Sequence, residues 1–133
     1  MMDIFRQFFS SHKMDNMIEN EAYWKMCDDI VRASDIEIEH VAGSSHLLYP
    51  DFVYPTDYGY LKNTKSSDQD CIDVWVGSSG SMRVCGCIVT VDLLKRDAEV
   101  KLLYACTKDE IEAIYNVHNY SSMQKGILIL RDI

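Results

Sequence analysis

The chain has 133 residues, 13 Lys and Arg against 21 Asp and Glu, a formal net charge of −8 and 47% hydrophobic residues. A chain of that size buries roughly two thirds of its unfolded surface without a disulfide framework or structural metal, so one globular domain is expected over 1–133. The acidic balance argues against nucleic acid or an anionic membrane as partner, because either is bound through Lys and Arg.

The opening run Met1-Met2-Asp3-Ile4-Phe5-Arg6-Gln7-Phe8-Phe9 carries charge among its apolar residues and no small-residue cleavage site, so it does not read as a secretory signal. No stretch approaches the roughly 20 apolar residues of a membrane span. The five cysteines, Cys27, Cys71, Cys85, Cys87 and Cys106, are odd in number and mostly lie in apolar runs. They read as buried thiols of a cytoplasmic protein, and Cys85-x-Cys87 without a companion pair is poor grounds for zinc.

From Asp15 to Arg32, Ile18, Ala22, Tyr23, Met26, Cys27, Ile30 and Val31 recur at helical spacing, with Asp28, Asp29 and Arg32 on the polar face. Residues 1–34 are therefore expected as an N-terminal helical extension and 35–133 as the body of the fold. Ile36-Glu37-Ile38-Glu39 alternates as a half-buried strand does. Between Val41 and Thr64, Gly43, Pro50, Pro55 and Gly59 punctuate a run that also holds Tyr49, Tyr54, Tyr58 and Tyr60, which reads as a cleft wall. Ile72–Val76, Val84–Val91 and Val100–Ala105 read as strands. Thr107-Lys108-Asp109-Glu110 is a capping box that opens a helix with Ile111, Ile114, Tyr115 and His118 on one face, and Gly126–Leu130 is a last strand. The fold class is α+β and mainly β: a sheet or small barrel with flanking helices.

The chemistry-bearing feature is Asp68-Gln69-Asp70-Cys71-Ile72-Asp73, where a loop enters a strand. A bend there aims three carboxylates at one point, and converging carboxylates repel unless a cation neutralises them. Hard oxygen donors suit Mg²⁺, Mn²⁺ or Ca²⁺ rather than zinc. An isolated D-x-D is more often a solvated acidic turn. A second group, Asp92 and Asp97 around Leu93-Leu94-Lys95-Arg96, favours the metal, because Asp92 ends an apolar strand where a carboxylate needs a partner. Five aspartates at two strand ends suit divalent ions in a phosphoryl-transfer cleft.

Tyr54-Pro55-Thr56-Asp57-Tyr58-Gly59-Tyr60, Asp68 through Val74, and Asp92 through Asp97 resemble, in order and spacing, the soluble single-domain inorganic pyrophosphatases. There Y-P-x-N-Y-G-[FY] is followed by D-G-D-P-[LIV]-D-[LIV] and then by a D-x₄-D turn. The resemblance covers about Ile36 to Ala105 and implies an OB-like barrel. It implies hydrolysis of inorganic pyrophosphate, or a related small phosphoanhydride, with Mg²⁺ (or Mn²⁺) and a homo-oligomeric protein. Asp68, Asp70, Asp73, Asp92 and Asp97 would hold the metal. Asp70 would also activate the water, with Tyr58 beside it. Glu39, Tyr54, Lys101 and Tyr120 would serve the substrate.

The departures concern substrate contacts. No Lys or Arg stands between Glu39 and Tyr54, where the family carries both on a hairpin; only His40 and His46 lie there. Gln69 and Cys71 replace a glycine and a proline, and Glu99 stands where a lysine is usual, with Lys101 two residues on. Two readings follow: a compact diphosphatase, or a metal- or phosphate-binding relative with weak turnover.

Overall fold

A computed structural model describes residues 20–131 of the chain. Helix α1 (20–32) leads into strands β1 (Ile36–His40), β2 (Asp57–Leu61), β3 (Ile72–Val76), β4 (Val84–Asp92) and β5 (Asp97–Tyr104). Helix α2 (Lys108–Asn119) and strand β6 (Gln124–Leu130) follow. The six strands form one sheet in the order β1-β2-β3-β5-β4-β6, antiparallel except for the β3/β5 pair. β1 and β6 are its edges, so the expected barrel is realised as an open sheet rather than a closed one. None of the described helices is long and apolar enough to cross a membrane.

Strand alternation distributes the core between the two faces. On one face Trp24, Cys27 and Val31 of α1 pack over Leu61, Val74, Cys87 and Leu102. On the other, Ile114 of α2 packs with Trp75, Ile88, Leu103, Cys106 and Tyr54. Trp75, Leu61, Ile88, Leu103 and Ile114 are fully buried, each contributing on the order of 1.5–3 kcal/mol by its removal from water. The five cysteines are free; Cys27, Cys87 and Cys106 are buried.

Two expectations are corrected. The buried face of α1 is Trp24, Cys27, Asp28 and Val31, whereas Tyr23, Met26 and Ile30 are exposed. The helix is rotated because Asp28 has a buried partner: Arg131 Nη1 donates to both of its carboxylate oxygens at 3.1 and 3.0 Å, and Val84 N donates at 2.8 Å. Residues 15–19 of the expected helix lie outside the described residues, as does the opening run. The second correction is β2, a strand within the stretch read as cleft wall. Its Gly59 faces the β1 backbone, and a Cβ there would collide with the Glu37 carbonyl. The glycine that suggested a turn therefore marks a close approach of two strands.

Elsewhere the elements match closely. β3 has the expected bounds, and the neighbouring strands run one to three residues further at the turn. α2 carries its capping box, with Glu110 N donating to Thr107 Oγ1 at 3.2 Å and Thr107 N to Glu110 Oε1 at 2.8 Å. Tyr115 of α2 is exposed, however, and Val117 takes its place against the sheet.

Candidate active site

The strand period places a row of polar side chains on the α2 face of the sheet. Asp73 lies two residues before Trp75, Lys101 and Glu99 two and four before Leu103, and Asp92 four after Ile88. They continue the buried apolar rows toward one end of the sheet. The rows converge on Lys101, which is 6% exposed. Its Nζ donates to Glu99 Oε2 at 2.7 Å, Tyr58 Oη at 2.8 Å and Asp73 Oδ2 at 3.1 Å. An ammonium has three donors, and all three are engaged.

The electrostatics follow from that arrangement. Burial works against the charge of Lys101, but Tyr58, Asp73 and Glu99 outweigh it and raise its pKa above the ordinary value. Burial likewise opposes ionisation of Glu99, yet the Lys101 hydrogen bond and charge bring its pKa down to about 2. Asp73 and Asp97 are raised, first by burial and then by the Glu99 carboxyl that each of them meets. Tyr58 is raised by burial and stays a phenol. Since Lys101 donates to its oxygen, the phenolic proton of Tyr58 is left for another acceptor.

Asp92 ends β4 opposite Asp97. Its Oδ1 accepts from Leu94 N and Lys95 N at 2.9 and 3.0 Å, which shapes the hairpin turn and lowers its pKa. Its Oδ2 accepts from Gln124 Nε2 at 3.1 Å, and Gln124 Oε1 lies 2.9 Å from His118 Nδ1. The indole of Trp75 donates to His118 Nε2 at 3.2 Å, so the proton of this neutral imidazole sits on Nδ1 and faces Gln124. A directed chain thus runs from Trp75 through His118 and Gln124 to Asp92. Burial pushes His118 down to about 4.

Two cavities flank the cluster. A cleft of about 430 Å³ lies between α2, the 46–54 loop and the β4–β5 turn; Tyr54, Tyr58, Asp92, Lys95, Lys101 and Tyr120 line it. A second cavity of about 460 Å³ lies beside α1, with Asp68, Asp73, Glu99 and Lys65 among its lining. Lys101, which lines the first, bonds Asp73 and Glu99, which line the second.

The expected site residues are therefore only partly gathered. Tyr54, Tyr58, Asp92, Lys101 and Tyr120 share the cleft, and Asp73 joins them through Lys101. Tyr54 is buried, stacked on His40 with ring centroids 4.4 Å apart, and Tyr120 stands exposed at the end of α2. Asp68 and Asp70 are exposed on the loop before β3. Asp68 Oδ1 accepts from Asp70 N at 3.0 Å and from Ser66 Oγ, an Asp-centred turn. Gln69 within it has φ +73°, the left-handed conformation that suits the family's glycine. Glu39 lies exposed on edge strand β1, near enough for its charge to bear on Tyr54. His46 is a loop residue whose Nδ1 accepts from Leu48 N and Tyr49 N at 3.0 and 3.3 Å.

Among the described residues no three His, Cys, Asp or Glu side chains stand together as a ready metal cluster. Mg²⁺ is commonly held by only one or two carboxylates, with water and substrate phosphates completing its shell. The donor chemistry fits such a site, because Asp73 and Glu99 share the Lys101 ammonium and Asp97 meets Glu99. The role of Gln124 and His118 behind Asp92 has no motif in the sequence; only the pairing of β4 with β6 brings Gln124 opposite Asp92.

Comparison with known proteins agrees with this fold. The inorganic pyrophosphatase from Helicobacter pylori superposes with a TM-score of 0.53 at 17% identity, covering 71% of this chain and 81% of that one. That of Coxiella burnetii gives 0.54 at 17% identity, covering 72% and 84%. These likenesses show a shared fold. The inorganic pyrophosphatase of Leifsonia xyli subsp. xyli is 44% identical over 43 residues, 30% of this chain, and the chain spans only 26% of that relative's length. The family model described as inorganic pyrophosphatase matches residues 10–127, most of the chain, which therefore belongs to the inorganic pyrophosphatase family.

Proposed function

We propose that the chain hydrolyses inorganic pyrophosphate, or a related small phosphoanhydride, to phosphate with the help of a divalent cation, Mg²⁺ or Mn²⁺. The observation that carries this reading is the convergence of Tyr58, Asp73 and Glu99, from three separate strands, on the buried Lys101 ammonium at the wall of the cleft. Family membership supports the same chemistry.

Asp73, Asp92 and Asp97, at one end of the α2 face, would hold the cation, with Asp68 and Asp70 supplied from the loop. When bound, such an ion neutralises phosphoryl oxygens and lowers the pKa of a coordinated water. Asp70 is the proposed acceptor of the water proton. Tyr58 keeps its own proton and can donate it toward a phosphate oxygen, its oxygen being already fixed by Lys101. Lys101 acts through its charge, since none of its N–H groups is spare, and Lys95 at the cleft edge is the ammonium available to the substrate.

A second reading, a relative that binds phosphate with little turnover, draws on that commitment of Lys101. Phosphate release from pyrophosphate with Mg²⁺, measured for the wild type, Asp70→Asn and Tyr58→Phe, decides between them. The enzyme reading expects a loss of about 10²–10³ in kcat for Asp70→Asn and about tenfold for Tyr58→Phe. A wild type no faster than Asp70→Asn across Mg²⁺ and Mn²⁺ overturns it. The same proposal puts the protein in the cytoplasm, where its free cysteines stay reduced. It also makes the protein a homo-oligomer, a reading supported by exposed Ile127, Ile129 and Leu130 on edge strand β6.

A further inference from the structure

The walls of the cleft do not suit a ligand made only of charged oxygens. His46, Tyr49, Phe52 and Tyr120 line it with rings, in front of the buried Tyr54 and Trp75. Its two ammonium groups, Lys95 and Lys101, are matched by two carboxylates, Asp51 and Asp92, and Lys101 has no free donor. Phosphate oxygens pressed against the carbon faces of these rings would lose water without gaining donors, at a cost of several kcal/mol each on the scale of unpaired charged groups. The volume of about 430 Å³ falls within the roughly 300–1,000 Å³ of pockets that enclose organic ligands. Asp92, Lys95 and Lys101 stand on the β4–β5 hairpin, and His46, Tyr49 and Phe52 lie on the 46–54 loop with Asp51 as its one charge. Leu48 and Tyr49 on that loop are exposed, at 77% and 54%, and open to a ligand.

We propose that the substrate carries a flat aromatic group on its diphosphate, as a nucleoside diphosphate does, with the phosphates at the Tyr58 and Lys95 end and the base against the rings of the 46–54 loop. This rests on the phosphoanhydride-hydrolase reading above and names its substrate class. Water oxygen bonds to the terminal phosphorus and the bond from that phosphorus to the bridging oxygen breaks. The bridging oxygen leaves with its electron pair on the nucleoside monophosphate, inorganic phosphate is the other product, and one proton is released to solvent. Stacking on an aromatic side chain is tolerant of base identity, because every base presents a π face.

The test measures phosphate release from ADP, UDP and inorganic pyrophosphate in the presence of Mg²⁺, for the wild type, Tyr49→Ala and Tyr49→Phe. The expected result is a kcat/KM at least tenfold higher for the nucleoside diphosphates. Tyr49→Ala should raise their KM about tenfold and that of pyrophosphate less than threefold, and Tyr49→Phe should restore the wild-type value. Turnover of pyrophosphate without the nucleoside diphosphates overturns this inference and leaves the pyrophosphatase reading standing. Equal effects of Tyr49→Ala on both substrates overturn it as well. Turnover of neither substrate overturns both readings.

Discussion

Each face of the sheet buries one cation between two carboxylates, and the two arrangements serve different ends. On the α1 face Arg131 joins Asp28 and Glu21; on the α2 face Lys101 joins Asp73 and Glu99. The charge count is the same. Arg131 and Asp28 are 5% and 6% exposed, Nη1 takes both Asp28 oxygens and the Val84 carbonyl, Nη2 takes Glu21, and Nε is left with no partner. Lys101 is almost as buried, yet its partners Asp73 and Glu99 are 30% and 19% exposed and line a cavity, while Tyr58 beside it lines the cleft. A guanidinium fork encloses its partners and fixes a helix to the sheet. A point-like ammonium leaves its partners open to a ligand.

The contrast is broken most strongly at Arg131. Arg131→Met strands the Asp28 carboxylate in the core and should cost about 3–5 kcal/mol of stability in urea titration, with turnover per folded molecule unchanged. Loss of activity without loss of stability would show that the arginine reaches the site. Lys101→Met should do the reverse: turnover falls about 10²–10³-fold, and stability falls less than for Arg131→Met, because Asp73 and Glu99 still meet solvent or take up a proton. If the two variants lose stability equally, the proposed division of labour is wrong.

Smaller effects sharpen the picture behind Asp92. His118 titrates at about 4 in the fold against 6.5 when free. Between those values the unfolded chain binds the extra proton, so stability declines as pH falls from 6.5 to 4 and is unaffected by this group above 6.5. His118→Gln should flatten that slope in denaturation curves measured across the window. The least effect is expected at Gln69. With φ at +73°, replacement by glycine removes a left-handed strain of roughly 1–2 kcal/mol but adds back much of it as chain entropy. Gln69→Gly should raise stability by under about 1 kcal/mol, read as a small shift of the urea midpoint.

The sequence made some of this legible and hid the rest for identifiable reasons. Ile72–Val76 and Thr107–Glu110 announce themselves because strand alternation and a capping box are local patterns. Tyr58-Gly59-Tyr60 does not, because Gly59 answers to the β1 backbone and has no signal of its own. Asp28 looked solvated because its partner lies 103 positions away. At the site Asp73 and Tyr58, named from the motifs, meet at Lys101, whereas Asp68 and Asp70 of the same motif stand apart on their loop. The chain from Trp75 to Asp92 was not, since it depends on α2 and β6 arriving beside the hairpin.

The separation of Asp28 from Arg131 also bears on the order of folding. Contacts between distant positions form only after the intervening chain has been organised, since loop closure must be met first. Helix α1 packs on β2 to β5 through Trp24, Cys27 and Val31, but its buried Asp28 has no cation until β6 is laid against β4 and brings Arg131 into place. The Asp28–Arg131 pair therefore closes late, and Arg131→Met is expected to act mainly by speeding unfolding while leaving the refolding rate nearly unchanged.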